Sequence, residues 1–230
     1  MSGFSRCVCV FGAVIACVFA GQPASAVSVT TYTDAGAFTN GLEDFWSNSF
    51  SGITASGVQA NPAVFSGSTS GTYAYTATAF GGLYGWGPGT PGPALTTLAA
   101  NTNLVFTSFS PGISAFGGRF WVSDFYDGSL IAGQTVTLTL ALSDNSTASA
   151  TTTVSSTAAF LGLIVDPAVT ITSATLSRPG NNVYTTAAGQ VIVGAAVPEP
   201  ATLTLAVLAA GGVWVGWRRS SRRGAAGDAR

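Results

Sequence analysis

Between residues 27 and 196, apolar and polar side chains alternate along short segments, and no stretch keeps a sustained helical period of apolar positions. The clearest alternating segment is 135–142, where Val and Leu side chains share one face and Thr side chains the other. Asp144 and Asn145 form a turn signal, and alternation resumes over 147–154. These two segments are therefore predicted to form a β-hairpin.

Similar short segments occur throughout this part of the chain, separated by Gly, Pro and Asn turn signals. Further strands are predicted at residues 27–33, 71–79, 102–109, 113–123, 159–165, 168–177 and 189–194. The apolar set changes parity at Ser173 and Ala174, which predicts a β-bulge there. The pattern as a whole predicts an all-β fold, an antiparallel β-sandwich or jelly roll.

Two segments break this pattern. Residues 34–48 begin with a potential N-cap, Asp34, and carry Phe38, Leu42 and Phe45 at helical spacing, so a short helix is predicted before the sheets. Residues 85–93, rich in Gly and Pro, give the strongest loop signal. No internal repeat is evident, and one domain over 27–196 is the simplest organisation.

The N-terminal 26 residues have the three parts of a secretory signal peptide. A short segment with one Arg precedes an apolar run over 7–20, which is too short to span a bilayer. Ala24 and Ala26 supply the small residues that a signal peptidase accepts, so cleavage is predicted after Ala26. Two alternatives remain: an uncleaved helical anchor, and acylation of Cys17 within a loose lipoprotein box.

This assignment removes every cysteine from the exported part, because Cys7, Cys9 and Cys17 all lie within the predicted signal peptide. Disulfides, thiol catalysis and cysteine metal sites are thereby excluded from the body. Its stability must come from a hydrophobic core, for which its length is sufficient.

The C-terminal segment, 197–230, predicts a membrane-inserted sorting sequence. An uncharged apolar run over 201–217, about 25 Å long as a helix, is just long enough to span a bilayer. The Arg cluster that follows should stop transfer and stay in the cytoplasm, which leaves the body outside. Its members are Arg218, Arg219, Arg222 and Arg223.

Together with the tripeptide Pro198, Glu199 and Pro200, this arrangement resembles the PEP-CTERM sorting signal. The resemblance implies an exported protein of a Gram-negative bacterium that makes extracellular polysaccharide. It also implies processing by an exosortase, a membrane transpeptidase that cuts near the tripeptide and releases or re-attaches the body. A plain C-terminal anchor with a chance Pro-Glu-Pro is the alternative.

A second resemblance covers residues 113–194. The order Phe116-Gly117-Gly118, Phe120-Trp121, an acidic turn and a Thr-rich strand is similar to the β-sandwich bodies that commonly precede PEP-CTERM signals. Those bodies mostly lack an assigned activity, so this similarity supports the fold and leaves the chemistry open.

Composition excludes several kinds of chemistry. The 230-residue chain has no His, and charged residues make up 7%. Without His there is no Ser-His-Asp triad, Cys-His pair or HExxH zinc site. No basic cluster precedes residue 200, which argues against nucleic-acid binding. We expect no catalytic residue, no metal and no cofactor, although a hydrolase using paired carboxylates is the least favoured alternative.

Two further features suggest ligands. Asp124 and Asp127, with Asp144, offer oxygen ligands for Ca²⁺, although their turn-like surroundings favour a conformational role. Trp86, flanked by glycines, is a candidate for stacking against sugars. Trp121 lies on the strand face opposite Phe120 and Val122, so one of these two sets is expected to lie outside the core, and Trp121 is the second candidate. Packing in a sandwich core is the commoner use of such aromatic residues.

These observations favour an exported, non-enzymatic structural or adhesive protein associated with exopolysaccharide, with a carbohydrate-binding module as the alternative. The expected partners are signal peptidase, exosortase, the membrane (transiently, through residues 201–217) and exopolysaccharide. The formal net charge of −1 conceals an acidic body, since residues 27–196 contain two Arg and seven acidic residues, or 2 − 7 = −5.

Overall fold

The structure, a computed structural model, describes residues 27–68, 72–89, 92–124, 126–166, 168–178 and 185–197. Within these ranges the chain forms fourteen strands and one short helix. In chain order they are β1 (Val29–Tyr32), α1 (Ala35–Asn40), β2 (Leu42–Asn48), β3 (Gly57–Gln59), β4 (Ala63–Ser68), β5 (Thr72–Ala79), β6 (Leu83–Trp86), β7 (Ala94–Thr97), β8 (Leu104–Ser110), β9 (Ala115–Ser123), β10 (Gln134–Leu142), β11 (Thr147–Val154), β12 (Phe160–Val165), β13 (Ile171–Ser177) and β14 (Thr185–Ala196).

The strands form two sheets, and every strand pairing is antiparallel. Sheet A has eight strands, in the order β1-β12-β9-β14-β7-β6-β3, with β2 also paired to β14. Sheet B has six, in the order β11-β10-β13-β8-β5-β4. The predicted all-β, antiparallel fold is confirmed.

The β10–β11 hairpin shows how the sequence pattern determines the structure. Alternate residues of β10 are buried, as its Val and Leu positions require, and Ala141 pairs with Thr147 at the closed end. The Asp144 carboxylate accepts a hydrogen bond from the Ser146 amide at 2.9 Å, and Asn145 has a φ of 67°. An Asx turn and a left-handed Asn are the expected chemistry of such a turn.

Each predicted strand segment overlaps a strand of the structure. The predicted bulge in β13 is confirmed within one residue of its expected place, because Ala141 pairs with Ser173 and Leu142 with Ile171, leaving Thr172 extra. Five strands were not predicted, namely β2, β3, β4, β6 and β7. Several of them are only three or four residues long, too short to display alternation.

The helix predicted over 34–48 was wrong in its second half. Asp34 is the N-cap and accepts from the Ala37 amide at 2.8 Å, as expected, but α1 ends at Asn40. Residues from Leu42 onward pair with β14 as strand β2. Leu42 and Phe45 fit a helical period, yet the exposed edge of β14 offers this segment a full ladder of backbone hydrogen bonds.

The loop predicted over 85–93 was also partly wrong. Gly85 and Trp86 belong to β6 and pair with Leu95 and Ala94 of β7. The described loop residues therefore begin at Gly87.

The main core fills the space between the two sheets. Phe106 of sheet B packs against Phe116 of sheet A with ring centroids 5.2 Å apart, and Phe116 stacks on Phe120 at 6.3 Å. Tyr73 and Tyr75 share one face of β5, and both are buried in this core.

A second, smaller core lies on the outer face of sheet A, beneath α1. Its centre is Phe38, which is fully buried and packs against Phe160 with centroids 5.3 Å apart. Gly117 and Gly162 make room for the ring, because a Cβ on Gly162 would lie 2.7 Å from it. Sheet A is thus covered on both faces at this end.

Candidate functional site

Strand β14 changes its pairing partner halfway along one edge. On one side it pairs with β9 along most of its length. On the other side Ala188 pairs with Leu95 of β7, whereas Val191 pairs with Asn48 of β2. The two intervening residues coincide with a bulge in the β9 ladder. After Asn48 the chain leaves the sheet at this break, and two clefts open beside it.

The larger cleft, here called the Trp46 cleft, has a volume of about 450 Å³. Both its size and its mixture of aromatic and polar side chains are typical of small-ligand sites. The described residues that line it carry no charged side chain. Those that matter most are Trp46, Asn48, Phe50, Gln59, Phe65 and Ser66.

Aromatic contacts fix the wall of the Trp46 cleft. The Trp46 and Phe65 rings lie 5.7 Å and 5.4 Å from that of Tyr75, and Phe50 meets Phe65 edge-on at 5.3 Å. The Trp46 indole also lies directly over Gly67, where any Cβ would overlap it. The half-buried indole therefore has a defined position, supported from behind by buried Tyr75.

Hydrogen bonds hold the segment that leaves β2. Asn48 Nδ2 donates to the Tyr75 hydroxyl at 2.8 Å, and Asn48 Oδ1 accepts from the Phe50 amide at 2.9 Å. Phe50 adopts a φ of 55°, an unusual conformation for a bulky residue. Burial raises the pKa of Tyr75 far above its usual value, so its hydroxyl remains neutral in the physiological range.

The smaller cleft, here called the Arg119 cleft, has a volume of about 270 Å³. Its lining includes Arg119 and Trp121 of β9, Gly189 at the bulge of β14, Pro93 and Thr157. Ser49 lines both clefts, so they lie on either side of the segment that leaves β2. None of the described residues lining either cleft is acidic, so neither cleft presents the paired carboxylates of a glycoside hydrolase.

Trp86, one predicted sugar-stacking residue, lies at the end of β6 and is half-buried. Its ring meets Tyr84 at 5.0 Å, and its indole packs so closely on Gly128 that a Cβ there would lie 2.5 Å away. Its Nε1 is enclosed and has no hydrogen-bond partner among the residues that the structure describes. Tyr84 and Trp86 therefore form a local aromatic pair within β6.

Trp121, the other predicted residue, is only 2% exposed. The expectation that either Trp121 or the pair Phe120 and Val122 would lie outside the core was wrong, because all three are buried. Both faces of this part of sheet A are covered, and the Trp121 ring lies over Gly189. Stacking of a sugar on this ring would require its neighbours to move.

The three aspartates considered for Ca²⁺ each serve their own turn. Asp124, Asp127 and Asp144 accept hydrogen bonds from backbone amides two residues ahead, at 2.8, 2.8 and 2.9 Å. Hydrogen bonds from Ser129 and Ser146 lower the pKa values of Asp127 and Asp144. Within the described ranges, no group of three His, Cys, Asp or Glu residues is placed to hold a metal ion.

The predicted targeting residues lie outside the described part of the chain. They are Ala24 and Ala26, Pro198, Glu199 and Pro200, and Arg218, Arg219, Arg222 and Arg223, together with the predicted membrane span 201–217. Cys17 lies outside it as well. Among the residues that are described, no helix is long and apolar enough to cross a membrane.

Comparison with known families gives one match. Residues 196–223 match the PEP-CTERM protein-sorting motif, as the tripeptide, apolar run and Arg cluster predicted. No curated protein and no solved structure shows a significant match to the chain. The motif begins at Ala196, the last residue of β14, so a β-rich body precedes it.

Proposed function

We propose that this exported, exosortase-targeted chain is a non-enzymatic structural or adhesive component of an exopolysaccharide matrix. The observation that carries the proposal is the sorting motif at 196–223, directly following an all-β body. Exosortase is the processing partner that such a motif implies. Signal peptidase, which would remove residues 1–26, is the second expected partner.

The surface of the body is suited to contact with a hydrated polysaccharide matrix. Strand β11 exposes Thr and Ser on its outward face, and Thr137 and Thr151 are joined across the hairpin by hydroxyl groups 3.2 Å apart. Hydroxyl groups both donate and accept hydrogen bonds, which suits contact with polysaccharide hydroxyls. The body has only nine charged side chains, so its electrostatic self-repulsion, that of a net charge of −5, is modest.

Removal of the sorting segment tests the first part of this proposal. Deletion of residues 198–230 should send the body to a different fraction from that of the full chain, measured by immunoblotting of membrane, matrix and medium. A finer variant replaces Pro198, Glu199 and Pro200 with Ala, which should leave unprocessed precursor in the membrane. Glu43→Ala, an exposed carboxylate in β2, is the matched control. Unchanged distribution of both tail variants would contradict sorting through this segment.

The Trp46 cleft favours a second candidate function, carbohydrate binding. A fixed indole beside uncharged amide and hydroxyl groups matches what a neutral sugar offers, an apolar ring face edged by hydroxyls. Trp46→Ala should reduce retention of the chain on a gel containing the host polysaccharide. Trp86→Ala and Trp121→Ala test the positions suggested by the sequence. Equal retention of all three variants and wild type would count against binding at any of these tryptophans.

A further inference from the structure

Arg119 occupies an unusual position for a cation. It lies in the middle of β9, a central strand of sheet A, and is the only exposed residue of that strand. Its register partners, Phe160 and Gln190, are uncharged. Among the described residues, its side chain forms no ion pair or hydrogen bond. In a body with seven acidic residues, the guanidinium thus stands without a carboxylate partner.

A second hydrogen-bond donor without an acceptor lies beside Arg119. Trp121 lines the same cleft, and its enclosed Nε1–H has no partner within the described structure. A buried N–H donor without an acceptor is destabilising, so a ligand oxygen that accepts from it would bind favourably here. The hydroxyl-bearing residues Ser49 and Thr157 complete the polar lining.

We propose that the Arg119 cleft binds the carboxylate of an acidic sugar residue, such as a uronic acid. This inference rests on the proposed association with polysaccharide and specifies its chemistry. The guanidinium binds the carboxylate through paired hydrogen bonds, a geometry that Lys does not reproduce. With a small shift of the ring, the Trp121 Nε1–H donates to a ligand oxygen, and the hydroxyls of Ser49 and Thr157 meet the sugar hydroxyls.

The shape of the cleft agrees with this assignment. Gly189 lies at the β14 bulge directly beneath the Trp121 ring, where a Cβ would come within 2.5 Å of it. Because Gly189 has no side chain, the Trp121 indole lies close to the backbone of β14, and the space above the sheet remains open. The volume of about 270 Å³ is near the lower end of small-ligand pockets, which suits one sugar residue rather than a long stretch of polymer.

The test compares two ligands that differ only in whether each sugar carries a carboxylate or a hydroxymethyl group. The full chain, purified in detergent, is titrated with an oligogalacturonate and with the same oligosaccharide after reduction of its carboxyl groups, using calorimetry. The acidic ligand should bind more tightly. Arg119→Gln should weaken its binding about 10-fold or more, since the paired hydrogen bonds between two charged groups are lost. Arg119→Lys should restore only part of it.

Two controls separate binding from folding. Arg178→Gln removes the other Arg of the body, which is hydrogen-bonded to Asn101, and should leave oligogalacturonate binding unchanged. Trp121→Phe keeps an aromatic ring but removes the N–H, and should weaken binding of the acidic ligand while thermal unfolding remains cooperative.

Two results would overturn the inference: equal affinity for the acidic and reduced ligands, or full affinity in Arg119→Gln. Binding of the reduced ligand alone, lost in Trp46→Ala, would reject the carboxylate site and support the neutral-sugar function. Binding of neither ligand would reject both sugar sites. Exosortase-dependent sorting is tested separately, by the deletion of residues 198–230.

Discussion

The packing of α1 on sheet A gives a sharp stability prediction. Phe38 is fully buried between Phe160 and the two glycines Gly117 and Gly162, and it lies at the centre of the outer core. Phe38→Ala removes this ring from a site where the rigid sheet cannot collapse to fill the space. A buried Phe→Ala change of this kind costs about 3–5 kcal/mol.

That cost is large relative to the stability of an ordinary domain, about 5–15 kcal/mol. For a domain of this size, each kcal/mol lowers Tm by about 2–4 °C. A loss of about 4 kcal/mol therefore predicts a fall of about 8–16 °C, measured by circular dichroism or tryptophan fluorescence. Phe80→Ala is the matched control, because Phe80 is 88% exposed and its removal should change stability by no more than about 0.5 kcal/mol.

A second variant tests the contact itself. Gly162→Ala adds a methyl group 2.7 Å from the Phe38 ring and should cost about 1–3 kcal/mol by overpacking. Combined with Phe38→Leu, the same substitution should cost less, because a smaller side chain leaves room for the methyl group. A Phe38→Ala variant that melts within about 2 °C of wild type would refute the packing of α1 as a second core.

Three further predictions concern caps and titration. Asp34→Ala should lower stability by about 1 kcal/mol in urea unfolding through loss of the α1 N-cap, and Asp34→Asn should preserve most of it. The depressed pKa values of Asp127 and Asp144 stabilise the fold above their unfolded value of about 3.9, and this contribution is lost as pH falls further. Ser146→Ala should therefore reduce the loss of stability between pH 7 and pH 3, and an unchanged loss would contradict the assignment. The raised pKa of buried Tyr75 has the opposite consequence, since its contribution to stability is retained below about pH 10 and lost above it. The free energy of unfolding of Tyr75→Phe should therefore fall less between about pH 9 and pH 12 than that of wild type.

Much of the fold can be predicted from the alternation of apolar and polar side chains, because a long strand with one buried face shows this pattern along its whole length. The Thr and Leu positions of β10 are the clearest example. The short strands β3, β6 and β7 are different, since their place in sheet A depends on the edges offered by neighbouring strands. Residues 42–48 show the same effect, because pairing with β14 outweighs a helical spacing of apolar side chains.

The tryptophans illustrate what alternation alone leaves undetermined. It correctly places Trp121 opposite Phe120, but burial on both faces depends on what covers the outer side of sheet A. The sequence pattern does not indicate Trp46 as a ligand-contacting residue, because it lies within the segment predicted to be helical. Its position in a cleft depends on contact with Tyr75 and Gly67, residues from a distant part of the chain.

Both clefts arise from a single topological feature, the change of partner along β14. Along one edge, β14 pairs first with β7 and then with β2. The residues of β14 between these two partners have no neighbouring strand on that side. The chain leaving β2 turns away at this point, and Ser49 comes to line a neutral cleft and a cationic one. Arg119 lies opposite Gln190, in register with the same break. Arg119 is the only exposed residue of β9, and it shares the smaller cleft with Ser49, from the segment that leaves β2, and with Gly189, from the break itself. The change of partner along β14 therefore brings the guanidinium, a hydroxyl group and an open stretch of backbone together at one place in the sheet.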